Sequence, residues 1–118
     1  MSVVNCRVAF IRPRYPSLKE WMDDPNNIYI ARSGVVFIEK ERFPKTNSIW
    51  ANPFKITKDE DRANVILRYE TYIRERIATN PELLNELKKL KGKNLGCWCA
   101  PEPCHGHVLL RLIDEFGL

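Results

Sequence analysis

The sequence predicts an α/β fold: a small single-domain sandwich of three layers around a short, mostly parallel sheet, spanning residues 1–118. Three observations carry this. A chain of 118 residues has the size of one domain and can bury one hydrophobic core without staples. Short β-branched runs alternate along it with segments of helical period. Its last elements are a strand followed directly by a helix, a pairing typical of α/β architecture.

The elements follow in order. VVNCRVAF, residues 3–10, is apolar and β-branched and reads as the first strand. Pro13 and Pro16 break it. SLKEWMDD begins with Ser17 as an N-cap and Glu20 three residues on, which predicts one or two helical turns. NNIYIARS, residues 26–33, reads as a second strand. Beyond Gly34, residues 35–40 form a third strand or extend the second. Residues 41–54 show no period, hold Pro44 and Pro53, and read as an ordered loop.

The helical half is more sharply patterned. Thr57 and Glu60 have the spacing of a capping box. Behind them Val65, Ile66, Tyr69, Tyr72, Ile73 and Ile77 share one face, which predicts a helix over about residues 58–78. Asn80 and Pro81 restart a helix and Gly92 ends it. Lysines crowd its last turn, where the helix dipole favours them. NLGCWC, residues 94–99, is a short strand. The final helix buries Val108, Leu109, Leu112, Ile113 and Phe116.

Hydrophobic residues make up 44% of the chain and charged residues 29%, the balance of a soluble globular protein. No apolar run approaches the roughly 18 residues that span a bilayer, so no membrane partner is expected. MSVVNCRVAF has no charged segment leading into a long apolar stretch, so it does not read as a secretory signal. A cytoplasmic, reducing location is the expectation, with the cysteines as thiols or metal ligands rather than disulfides. The net charge of +4 permits a phosphate-bearing partner without demanding one. The basic residues are spread along the chain and form no aromatic–basic stripe of the kind that marks single-strand binders.

GCWCAPEPCHGHVLL, residues 96–110, holds three of the four cysteines and both histidines. Strand residues two apart share a face, so Cys97 and Cys99 point one way and Trp98 the other. The following helix begins near Pro103 or Cys104. Cys104, His105 and the amides of Gly106 and His107 then cluster at a helix N-terminus, just past the carboxyl end of a strand. Open α/β folds bind ligands there. A helix start attracts anions, and its field favours the thiolate of a nearby cysteine. One corner thus offers an anion cradle, an activated sulfur at Cys104 and a proton-handling imidazole at His105.

Two other readings of this corner stay open. Cys97, Cys99, Cys104 and His105 have zinc-ligand chemistry, with Cys6 or His107 able to complete a site. Structural zinc, however, usually takes cysteines paired two to four residues apart. Alternatively Cys97 is a small buried hydrophobe and the histidines are polar groups of a helix start.

The tail LKGKNLGCWCAPEPCHGHVLLRLI resembles the end of the domain-of-unknown-function family numbered 4326. Further matches to that family's pattern are Val4-Asn5, Tyr29-Ile30-Ala31-Arg32, Ala51-Asn52-Pro53-Phe54 and Tyr69 with Tyr72. Cys97, Cys99, Pro101, Cys104, His105 and Gly106 complete it. The resemblance covers nearly the whole chain in the same order. It implies a single α/β domain of bacterial, viral or eukaryotic source, and it carries no assigned activity. Ala31 and Ala51 stand where the family has glycine, and His107 where an acidic residue is common.

If the strands run parallel, Arg32, Asn52, Cys99, Cys104 and His105 converge on one edge of the sheet. The expected function is binding of a phosphate-bearing ligand such as a nucleotide or a nucleic-acid end, with its processing as a further option. In that reading the catalytic residues are Cys104, as nucleophile or redox thiol, and His105, as acid–base group or phosphate donor. Arg32 forks the anion, and Asn52, Cys99 and Gly106 line the ligand. No resident metal or cofactor is expected; a zinc-stabilised binding module is the alternative. A third reading makes Trp21 and Trp50 exposed aromatics of an interaction surface. Cys104 is expected to be the most reactive thiol, with an anion at its helix N-terminus, and Cys97 to be shielded. Enzymatic activity and oligomeric state are left open.

Overall fold

The computed structural model describes residues 2–55, 57, 61–99 and 103–118. The first strand, β1 (Ser2–Asn5), is shorter than its apolar run suggests. The Asn5 side chain accepts a hydrogen bond from the Arg7 amide at 3.0 Å, an Asx turn that swings the chain out of the strand. Val8–Ile11 then forms a single helical turn, α1, where a continuing strand was expected. Helix α2 (Leu18–Asp23) follows. The Ser17 hydroxyl bonds the Glu20 carboxylate directly and not a free helix amide, so this pair makes no capping box.

Strand β2 (Asn27–Tyr29) is followed by β3 (Val36–Ile38) and β4 (Glu41–Phe43), an antiparallel hairpin. The hairpin corrects the expectation of a loop from residue 41. Its turn residues, Glu39 and Lys40, both have positive φ, 52° and 67°. This is the backbone of a tight primed turn, normally signalled by Asn-Gly or Asp-Gly. Here the sequence carries no such signal.

Helix α3 (Arg62–Thr79) starts later than its capping pair suggests. Its N-cap is Asp61, whose carboxylate accepts from the Asn64 amide at 2.9 Å. Glu60, the second half of the expected box, lies outside the described residues. Helix α4 (Pro81–Lys89) begins as expected, with the Asn80 side chain accepting from the Glu82 amide at 3.2 Å. Gly92 turns the chain at φ +79° and leads into β5 (Asn94–Cys97) and α5 (His105–Glu115).

The main sheet has the order β1-β5-β2, with both pairings parallel. β5 is central: Leu95 lies opposite Val3 on one side and Ile28 on the other. Strand alternation sends Leu95 and Cys97 into the larger core with Tyr69, Ile73, Leu87, Leu109 and Leu112. Gly96 faces the smaller cluster, where a Cβ would collide with the Trp21 ring and the Cys6 sulfur. Trp21 and Trp50 are both buried, 2% and 3% exposed, so neither supplies the aromatic interaction surface considered above. No helix among the described residues is long and apolar enough to cross a membrane.

Candidate functional site

Because β1, β5 and β2 are parallel, their carboxyl ends share one edge. Cys97 ends β5, and the chain leaving β2 runs through Ile30 and Ala31 to Arg32. A cavity of about 450 Å³ opens at this edge. Arg32, Asn52, Cys99, Cys104 and His105 all line it, together with Cys97, Lys55, Arg62 and apolar walls that include Phe54, Ile66 and Trp98. Of the residues singled out in the sequence, Gly106 alone is absent from the lining.

Arg32 holds the far wall. Its Nε and Nη2 donate to the Asn52 carbonyl at 3.2 and 3.0 Å, and Nη2 also donates to the Phe54 carbonyl at 3.2 Å. The fork that the sequence assigns to an anion thus already grips a loop, with Nη1 left over. Asn52 Oδ1 accepts from the Phe54 amide at 2.9 Å, which folds the loop locally. The near wall is set by Trp98, whose Nε1 donates to Tyr29 Oη at 2.9 Å while that hydroxyl donates to the Arg32 carbonyl at 2.7 Å. The Arg68 guanidinium lies 4.2 Å from the Phe54 ring centroid, a cation–π contact that braces the aromatic wall.

The start of α5 is closed upon itself. Cys104 is the N-cap, and its sulfur accepts from the Gly106 amide at 3.3 Å. His107 Nδ1 accepts in return from the Cys104 amide at 3.1 Å. This is a capping box in which Cys and His replace the usual Ser/Thr and Glu/Gln. The Gly106 amide is thereby spent on sulfur. Glycine is needed here for packing: a Cβ would lie 2.9 Å from both Ile30 Cδ1 and Val3 Cγ2, so Gly106 sets how closely α5 approaches the sheet.

His105 is buried, and its Nε2 sits 2.7 Å from the Ile30 carbonyl. A carbonyl only accepts, so Nε2 carries the proton. The ring stands edge-on to Tyr69 at 5.0 Å between centroids. Burial holds this imidazole below the ordinary 6.5, against the opposing pull of the Ile30 bond. His105 is therefore a neutral tie between α5 and the exit of β2.

Three sulfurs gather where β5 meets α5. Cys97 and Cys104, 1% and 3% exposed, have their Sγ atoms 3.1 Å apart, hydrogen-bonded but not joined in a disulfide. Hydrogen bonding to Cys97, then to Cys99, together with burial, pushes the Cys104 thiol upward. Cys99 behaves oppositely. Hydrogen bonds from Cys104, Cys97 and Arg62 hold its thiol well below the ordinary 9.0, despite partial burial. Of the three, Cys99 is the least buried and the one whose thiol is held low, whereas the sequence pointed to Cys104. Cys97 is shielded, as its strand position predicts.

Among the described residues, no group of three or more Cys, His, Asp or Glu is placed to hold a metal ion. Two thiolates on one tetrahedral zinc, with Zn–S of about 2.3 Å, lie roughly 3.8 Å apart. Cys97 and Cys104 are closer than that, and His105 is turned onto Ile30.

Fold and site together define a small α/β domain with a cysteine-lined, cation-bearing cavity at the carboxyl edge of a parallel sheet. The chain belongs to the family described as Domain of unknown function (DUF4326), which it matches over residues 15–115. It is also similar to the "Uncharacterized 12.4 kDa protein in nrdA-td intergenic region" of Enterobacteria phage T4, with 30% identity over 68 residues. That match spans 58% of this chain and 62% of the phage protein. No solved structure matches the chain.

Proposed function

We propose that the cavity binds a phosphate-bearing small molecule of nucleotide size, or the end of a nucleic-acid strand. The observation that carries this is the charge of the lining. Arg32, Lys55 and Arg62 are present, and no carboxylate is found among the described lining residues, while the walls are largely apolar. The volume of about 450 Å³ lies within the range of about 300–1,000 Å³ usual for small-molecule sites. Guanidinium groups suit phosphate, and flat apolar walls suit a base.

The remaining groups then take different parts from those their residue types alone suggest. His105 and Cys104 position the corner, and Cys99 is the sulfur able to meet a bound ligand. Four free thiols and such a ligand fit a reducing, cytoplasmic setting.

Titration calorimetry with adenosine monophosphate, adenosine and inorganic phosphate tests the reading. The monophosphate is expected to bind saturably, more tightly than either fragment, with an affinity that falls as salt rises. Lys55 is exposed, so Lys55→Gln should weaken binding by about two- to fivefold, the worth of one screened charge, at unchanged melting temperature. No saturable binding at millimolar nucleotide, or binding indifferent to salt and to Lys55→Gln, overturns it.

A further inference from the structure

We propose that Cys97, Cys99 and Cys104 form a thiol relay that reduces a small-molecule disulfide, with Cys99 as the entry point and a Cys97–Cys104 disulfide as the product. Three observations carry it. The Cys97 and Cys104 sulfurs are in contact at 3.1 Å and not joined in a disulfide. Both touch the cavity wall but are almost wholly buried, so they offer an oxidant from solvent far less surface than Cys99 does. Cys99 lines the same cavity but is only half-buried, and Cys97 and Cys104 are the neighbours that hold its thiol below the ordinary range. A buried pair thus communicates with solvent through a third sulfur. Cys6, the remaining cysteine, packs in the other core cluster.

The steps balance for a disulfide RSSR. The Cys99 thiolate attacks one sulfur; a Cys99–SR bond forms, the RS–SR bond breaks, and RS⁻ leaves. Cys104 gives its proton to that RS⁻, making RSH, and attacks the Cys99 sulfur. The Cys99–Cys104 bond forms and the second RS⁻ leaves. Cys97 protonates this second thiolate and attacks Cys104. The Cys97–Cys104 bond forms and Cys99 departs as thiolate. Two protein thiols are oxidised and one RSSR is reduced to two RSH. The order of steps has a physical reason. The sulfur that best bears negative charge leaves fastest, and the neighbouring thiols and Arg62 stabilise charge on Cys99. Restoring the dithiol requires a second, reducing thiol from solution.

The test uses the whole chain and hydroxyethyl disulfide, a neutral probe. Samples are quenched with alkylating agent over time and mapped by peptide mass. The expected course is a mixed disulfide on Cys99 first, then a Cys97–Cys104 linkage, with Cys6 reduced throughout. Cys99→Ser should slow closure of the buried pair at least about tenfold without changing its end point. If that variant does not fold, the order of adducts in the unaltered protein decides. A first adduct on Cys97 or Cys104, a lasting Cys99–Cys104 linkage, closure at full rate in Cys99→Ser, or no disulfide at all overturns the relay. The relay needs no anion in the cavity, so this experiment and the calorimetry fail independently.

Discussion

The corner between β5 and α5 has a sealed half and an open half, built from neighbouring residues. In the sealed half, Cys104 caps its own helix, His105 is tied to Ile30, and Gly106 lets α5 reach the sheet. Every polar group named there is matched to another part of the fold. In the open half, Cys99 is half-buried and Lys55 exposed, and both line the cavity with Arg62; Cys104 and His105 also touch it but are buried. The Cys-His-Gly run is the most recognisable part of the sequence, yet its side chains mainly hold the shape. Cys99 stands beside it, two residues beyond the end of β5.

The largest expected effect is in the sealed half. Gly106→Ala drives a methyl group against Val3 and Ile30, and such overpacking costs about 1–3 kcal/mol. A lowered denaturation midpoint checks it; an unchanged one means that α5 can back away and the half is not sealed.

The next concerns pH. His105 is held below 6.5 in the fold, so between that value and its folded pKa the unfolded chain binds more protons. Stability is then full above 6.5 and is lost as pH falls through this window. The exposed carboxylates of Glu20 and Asp24, lowered from 4.5 and 3.8 by the Ser17 and Tyr15 hydroxyls, act only at lower pH. Unfolding followed against pH should show the upper slope in the native chain and not in His105→Gln. The same slope in both would remove His105 from the sealed half.

The smallest effect separates cap from thiol. Cys104→Ala should cost about 1 kcal/mol as an N-cap loss, and Cys104→Ser, whose oxygen caps well, less than that. Equal losses, measured by thermal melts, would mean that the sulfur matters through packing alone. Lys55→Gln in the open half should leave the melt where it is while changing ligand affinity.

Much of this was legible from residue patterns. The stripe from Val65 to Ile77, the Asn80–Pro81 restart and the final strand–helix unit depend on local rules, and the structure follows them except at Phe116, which was expected to be buried but lies exposed beyond the end of α5. The β3–β4 turn was not legible, because Glu39 and Lys40 adopt positive φ without glycine or asparagine. Nor was the end of β1, where one Asn5 side chain overrides a β-branched run. At the site, Arg32, Asn52, Cys99, Cys104 and His105, which the sequence groups at one edge, line one cavity. The sequence does not show which sulfur is exposed. That depends on hydrogen bonds among Cys97, Cys99, Cys104 and Arg62, which arise only once β5, α3 and α5 are assembled. Arg62, Lys55 and Trp98 in the lining were missed; their only signal was proximity in sequence to Asn52 and to the cysteines.

The position of β5 sets a timetable for the chain. β1 and β2 pair with β5 and not with one another, and the Ser2↔Asn94 contact joins residues near opposite ends of the sequence. The outer strands come early in the chain, and the strand between them comes last. Helices α3 and α4 can gain local order beforehand, but the sheet has no centre until Asn94–Cys97 arrives. Such distant closure is slow compared with helix formation. On the ribosome, β1 and β2 leave the tunnel with their inner edges unpaired and wait until Asn94–Cys97 has been made. The segment that completes the sheet is the one that brings the cysteines, so the reactive corner is assembled only when the sheet itself closes.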